Sequence, residues 1–275
     1  MIGGKLFDFK FKMAAVGAGA GLQGTALGGQ IMACRLRNYG ELFYTSPKAV
    51  FDGSAPIRGG VPVLFPQFSD AGRLPKHGLV RTREWHVAAA PDDSEFRADL
   101  TLGPNADPRW PGQAELTVRG EADEDSLEIT LTIKNVGTDS VGWTGGLHPY
   151  FATTALTASW VDGLSGRWMT DRIGRRKLEL PKDTPLAFDG REVEVLVHDS
   201  EDLTLVQPGR TLELSSEGFA EWMIWNPGEA GAAKIADLPP EDWQRFVCVE
   251  PVCVSRPITL DPGDEFEGRL TISVL

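Results

Sequence analysis

The chain has 275 residues, 41% apolar and 24% charged, the profile of an ordinary globular protein. It carries no run of about 18 or more apolar residues, which argues against a membrane span. A net charge of −12 argues against general binding to nucleic acid or to an anionic membrane, both of which need a basic surface.

In chain order, Lys5, Lys10 and Lys12 precede a Gly/Ala-rich stretch that is too glycine-rich for a signal-peptide core and has no clean cleavage pattern. Gly19, Gly21 and Gly24 fit G-x-G-x-x-G, but TALGGQ follows and cannot start an amphipathic helix, so a flexible turn is expected instead of a nucleotide loop. IRGGVPVLFPQF (57–68) sets an apolar run between two prolines, which suits an edge or irregular strand. LPKHGLVRTREW (74–85) places His77 in a Gly/Pro-bounded loop. From Arg58 to Arg83 five bases face the single acid Asp70, a net of +4, while Asp92 to Glu128 carries eleven acids against three arginines, a net of −8. The acidic run reads as a solvated face; the basic one suggests reception of an anion.

Alternation of period two in LEITLTI (127–133), EVEVLV (192–197), TLEL (211–214) and GRLTISVL (268–275) predicts half-buried strands, separated by turn clusters such as NVGTDS, QPGR and LDPGDE. A short helix is expected only near LPPEDWQRF (238–246). One all-β domain over 1–275 follows, a large antiparallel β-sandwich with few short helices. The cysteines number three, and only Cys248 and Cys253 are close, without the paired spacing of a zinc site. Reduced thiols in a cytoplasm are expected.

Several segments hold chemistry. Arg58 is a forked donor for a carboxylate, phosphate or vicinal hydroxyls, or equally a structural partner of an acid. His148 in GGLHPYF (145–151) precedes a proline that extends its backbone, and the aromatics beside it suit a sugar; a core histidine with one hydrogen bond is the alternative. In RFVCVEPVCV (245–254), alternation puts Phe246, Cys248 and Glu250 on one face, where partial desolvation would raise the Glu250 pKa toward proton-transfer range; a buried Glu paired with an arginine is the alternative. His86 and His198 are read as structural.

IRGGVPVLFPQF, KHGLVR, LHPYF, WNP (225–227) and CVEP (248–251), in that order, resemble the blocks of the hexose-6-phosphate mutarotases (glucose-6-phosphate 1-epimerases), relatives of the galactose mutarotases or aldose 1-epimerases. The resemblance runs from about Leu42 to the C-terminus and implies a galactose mutarotase-like supersandwich with its site on a concave sheet face, and no cofactor or metal. It implies Glu250 as general base and His148 as general acid, Arg58 and Arg81 as substrate-contacting arginines, and His77 in the pocket wall. Glu194 stands where the family has a sugar-contacting Asp. The implied partner is a small sugar or sugar phosphate, and a monomer is expected.

Three residues depart from the family pattern. Lys76 replaces a neutral residue before His77 and is expected to tighten an anionic substrate. Glu194 is one methylene longer than Asp, which bears on sugar preference. Val252 replaces a glycine and is expected to change only a turn. Catalysis on free aldoses, or carbohydrate binding without catalysis, are the competing functions.

Overall fold

The computed structural model describes residues 21–275 apart from 37 and 91. Gly19 and the lysine-bearing N-terminal stretch lie outside the described residues. Gly21 and Gly24 sit on a paired strand, Gly21–Thr25, rather than in the flexible turn expected there; the chain turns only after it, into Gln30–Leu36, with no helix following. Among the described residues no helix is long and apolar enough to cross a membrane.

Antiparallel sheets dominate. A nine-stranded sheet takes in three of the alternating segments, now the strands Ser126–Asn135, Arg210–Glu217 and Glu265–Val274. Burial along Ser126–Asn135 alternates residue by residue, with Leu127, Ile129, Leu131 and Ile133 inaccessible. These side chains face the second, eight-stranded sheet, and one apolar cluster joins them to Trp143, Trp222 and Phe246. Burying each such side chain stabilises the fold by about 1.5–3 kcal/mol. The regular helix is short, Gly228–Ala232, and the segment expected to be helical forms a 3₁₀ turn over Pro240–Arg245.

The eight-stranded sheet carries the site. Its order runs Arg176–Leu178, Met169–Asp171, Val193–Val197, Glu221–Asn226, Phe246–Leu260, Val141–Leu147, Val63–Leu64, with Tyr150–Ala152 paired beside Phe246–Leu260. Val63–Leu64, the run between two prolines, is an edge strand two residues long, as its prolines demand. One face of this sheet packs on the core. The other gathers Glu194, Met223 and Glu250, since Glu194 pairs with Trp225 and Met223 pairs with Glu250 across adjacent strands.

Val252 corrects an expectation. It lies within the Phe246–Leu260 strand rather than in a turn, fully buried, opposite Glu221 and Gly146. With Leu64, Phe68, Leu196 and Met223 it forms a small separate apolar cluster. The strand register continues past Pro251, so the valine supplies packing for which a glycine has no side chain.

Candidate active site

A cleft of about 290 Å³ opens on this face, and Arg58, Lys76, His77, Arg81, His148, Glu194 and Glu250 all line it. Residues far apart in the chain thus converge on one concavity, beside Phe68, Tyr150, Met223 and Trp225.

His148 and Glu250 form its floor. Glu250 is held by mid-strand pairing. His148 follows the Val141–Leu147 strand, and its N–H donates to the Pro62 carbonyl at 2.9 Å. The imidazole lies parallel to the Tyr150 ring, centroids 4.9 Å apart. His148 Nε2 stands 3.4 Å from Glu250 Oε1, with side-chain exposures of 9% and 1%. Burial raises the Glu250 carboxyl well above its ordinary pKa; the Glu194 charge adds to this, while Arg81 and Lys76 oppose it. Burial lowers the His148 imidazole well below its ordinary value, and Arg81 and Arg58 lower it further. Both shifts disfavour the charged forms, as burial does for a carboxyl and an imidazole alike. His148 Nδ1 and Glu250 Oε2 are buried with no hydrogen-bond partner. An unpaired buried polar atom costs about 1–3 kcal/mol, a cost tolerated mainly where chemistry needs a free lone pair or proton.

The wall is cationic. Gly59 and Gly60 take φ of 120° and 60°, because a Cβ would strike Thr45 Cα at 2.4 Å and Ile31 O at 2.4 Å respectively. The glycines therefore press the backbone against the chain's own strands and aim Arg58 into the cleft. There Arg58 is fixed by Asp237, 3.2 Å from both Nε and Nη2, and donates to the Tyr150 hydroxyl at 3.0 Å. Arg81 donates to the Lys76 carbonyl at 2.6 Å. Among the described residues neither Arg81 nor Lys76 has a carboxylate within ion-pair distance, so their charges are open to a ligand.

His77 is held in a strained backbone conformation, φ 64°, rare for a side-chain-bearing residue. Its Nδ1 accepts from the Ser69 N–H at 3.2 Å, so the neutral ring carries its proton on Nε2 as a donor. Burial and the neighbouring Arg81 charge lower its pKa, keeping that ring neutral. Gly78 permits the turn, because a Cβ there would lie 2.1 Å from the Phe65 carbonyl oxygen.

Glu194 accepts from Arg172 Nε at 2.7 Å, and the Arg172 guanidinium lies over the Phe68 ring, 5.9 Å from its centroid. Sequence reasoning missed Arg172 and Asp237, each the charge partner of a predicted site residue. It quoted Trp225 inside its block without giving it a role, and read Tyr150 only as one of the aromatics that suit a sugar. Asn226 explains the WNP block: its amide donates to the Trp243 and Phe246 carbonyls at 2.9 Å each, and its oxygen accepts from Gly228 N–H at 2.9 Å. It thereby pins the loop that brings Asp237 to Arg58. Arg83 bonds the Leu79 and Ala106 carbonyls and braces the loop from behind. His86 is exposed at a sheet edge; His198 is held by Thr170 and Glu221.

Comparison with known proteins finds relatives over most of the chain. A protein from Cenchrus ciliaris, provisionally named glucose-6-phosphate 1-epimerase, is 28% identical over 261 residues, covering 90% of this chain and 79% of its own. A similarly named protein of Salmonella typhimurium is 27% identical, with 79% and 74% covered. The solved YeaD structure from Salmonella typhimurium, provisionally named a mutarotase, shares the fold with a TM-score of 0.82 at 24% identity, covering 90% of this chain and 85% of that one. A galactose mutarotase-like protein from Lactobacillus casei does so with a TM-score of 0.72 at 17% identity, covering 94% and 98%. The family model described as aldose 1-epimerase matches residues 17–273, and the chain belongs to the aldose 1-epimerase family.

Proposed function

We propose that the chain interconverts the α and β anomers of a hexose 6-phosphate, with Glu250 and His148 moving the protons. Glu250 takes the proton of the O1 hydroxyl while His148 gives one to the ring oxygen. The C1–O5 bond breaks and an aldehyde forms at C1. After rotation about C1–C2, O5 attacks the other carbonyl face, returns its proton to His148, and O1 regains one from Glu250. The pair holds one proton throughout and alternates between imidazolium–carboxylate and imidazole–carboxylic acid. A separation of 3.4 Å suits that alternation.

The observation that carries the proposal is this proton-relay pair at the floor of a cleft whose wall presents Arg58, Lys76 and Arg81. Arg81 and Lys76, without carboxylate partners, suit a phosphate. His77 Nε2–H and Glu194 suit the sugar hydroxyls, and Trp225 and Tyr150 suit its C–H faces. The names of the relatives, which refer to glucose 6-phosphate, support the same substrate class. The proposal includes a monomer working in the cytoplasm without a cofactor.

A second reading, free aldoses as substrate, draws support from Arg58, whose guanidinium is already occupied by Asp237 and Tyr150. Anomer exchange measured by NMR for glucose 6-phosphate and for glucose separates the two. Faster exchange of the phosphorylated sugar is expected; faster exchange of free glucose overturns the phosphate assignment.

A further inference from the structure

The concave face holds two buried histidine–carboxylate pairs, and they differ in what they leave free. In one, His198 contacts Thr170 Oγ1 at 2.8 Å and Glu221 at 3.2 Å, and Glu221 also accepts from the backbone N–H groups of Val254 and Ser255. That cluster is satisfied internally. In the other, His148 and Glu250 each retain an unpartnered buried atom. Beneath them lies a third donor that the mutarotase chemistry does not use: the thiol of Cys248, wholly buried and two residues from Glu250 on the same strand face.

The ligand atoms of His148, Cys248 and Glu250 all lie within 4.8 Å of one another. Nitrogen, sulfur and carboxylate oxygen together form the donor set of a borderline-soft divalent cation such as Zn²⁺. Two ligand atoms of a tetrahedral zinc with bonds of about 2.0–2.1 Å stand roughly 3.3 Å apart. The 3.4 Å between His148 Nε2 and Glu250 Oε1 matches that edge.

We propose that His148, Cys248 and Glu250 form a three-ligand site for a thiophilic divalent cation of the zinc class, and that its occupancy switches the proton-relay pair off. The cation enters from the cleft, which His148 and Glu250 both line, and the Cys248 side chain rotates to close the remaining distance. The fourth position faces the cleft and takes water. Binding releases the thiol proton and the proton of the pair to solvent, giving a thiolate, a carboxylate and a neutral imidazole as ligands. With Glu250 and His148 both engaged, neither can exchange a proton with O1 or O5. The ion is thus an inhibitor rather than a cofactor. The inhibition rests on the proposed proton-relay role of the pair, and the site itself only on its geometry; neither depends on which sugar is served.

Titration of the purified full chain with Co²⁺ as a spectroscopic stand-in tests the site without any sugar. One equivalent is expected to produce a thiolate-to-cobalt charge-transfer band that Cys34→Ser and Cys253→Ser retain and Cys248→Ser loses. In parallel, the Zn²⁺ concentration that halves anomer exchange, each protein normalised to its own uninhibited rate, is expected to rise at least about tenfold in Cys248→Ser. Absence of the band in the unaltered chain, its survival in Cys248→Ser, or an unchanged half-inhibiting concentration overturns the proposal. Should Cys248→Ser fail to fold by circular dichroism, Glu250→Gln decides, since it keeps the thiol but loses a ligand: an unweakened cobalt titration overturns the site. Because the band is read without substrate, its failure is distinct from a failure of the epimerase reading.

Discussion

Glu250→Gln should lower activity and raise stability at once. The amide keeps the shape of the side chain but cannot take the O1 proton. A positioned general base contributes about 10²–10⁴-fold, or roughly 2.7–5.5 kcal/mol at about 1.36 kcal/mol per decade. Stability moves the other way because the carboxyl is 1% exposed and its folded pKa lies above the unfolded value. Between those two values the folded state binds more protons than the unfolded one, so stability falls as pH rises through that window. Below the unfolded value both states are protonated and the penalty is absent. Glutamine carries no such penalty. Anomer exchange by NMR should therefore fall at least about a hundredfold. The thermal midpoint should equal or exceed that of the unaltered chain near pH 8, the gap closing as pH falls to about 4. Exchange within about threefold of the unaltered chain, roughly 0.6 kcal/mol, would refute Glu250 as the base. A midpoint that falls along with activity would recast Glu250 as a structural residue.

Arg81→Ala should raise KM for glucose 6-phosphate about ten- to hundredfold, the worth of a charge-assisted hydrogen bond, while leaving KM for glucose nearly unchanged; steady-state kinetics on both sugars checks it. Glu194→Gln removes a like charge that helps raise Glu250, so the acidic limb of the pH profile of kcat/KM should move to lower pH; a limb that stays or moves upward contradicts the coupling. Asn226→Ala strands the carbonyls of Trp243 and Phe246 and should destabilise the fold by about 2 kcal/mol or more in urea denaturation.

The sequence made legible whatever depends on local pattern. Alternation in 127–133 and 268–275 predicts two central strands because side chains alternate faces whatever the partner strand is. The prolines of 57–68 predict an edge strand because they cannot donate within a sheet. The site residues came from ordered blocks, and all of them reach one cleft. What stayed hidden was pairing across the chain. Asp237 reaches Arg58 only through the loop that Asn226 pins, 179 residues away in sequence, and no periodicity encodes that contact. Arg172 meets Glu194 through strand adjacency and not through spacing. Val252 was misjudged for a related reason: Pro251 suggests a break, yet the strand passes through it with its register intact.

The cationic wall and the proton-relay floor are electrically one device. After burial, Arg81 and Arg58 are the largest influences holding His148 below its ordinary pKa. His148 must carry a second proton to give one to O5, so these charges oppose its role. A phosphate dianion seated on Arg81 and Lys76 would offset the Arg81 charge at His148 and raise its pKa, by about tenfold in the protonated fraction for each unit regained. If so, recognition of the phosphate favours the protonated acid, and free glucose brings no anion to do the same. The two halves of the substrate should therefore act when supplied separately. Inorganic phosphite, too small to fill the sugar site, should accelerate anomer exchange of free glucose by the unaltered chain and should not accelerate it in Arg81→Ala. If phosphite leaves glucose exchange unchanged while glucose 6-phosphate remains the faster substrate, the arginines hold the phosphate without tuning the acid.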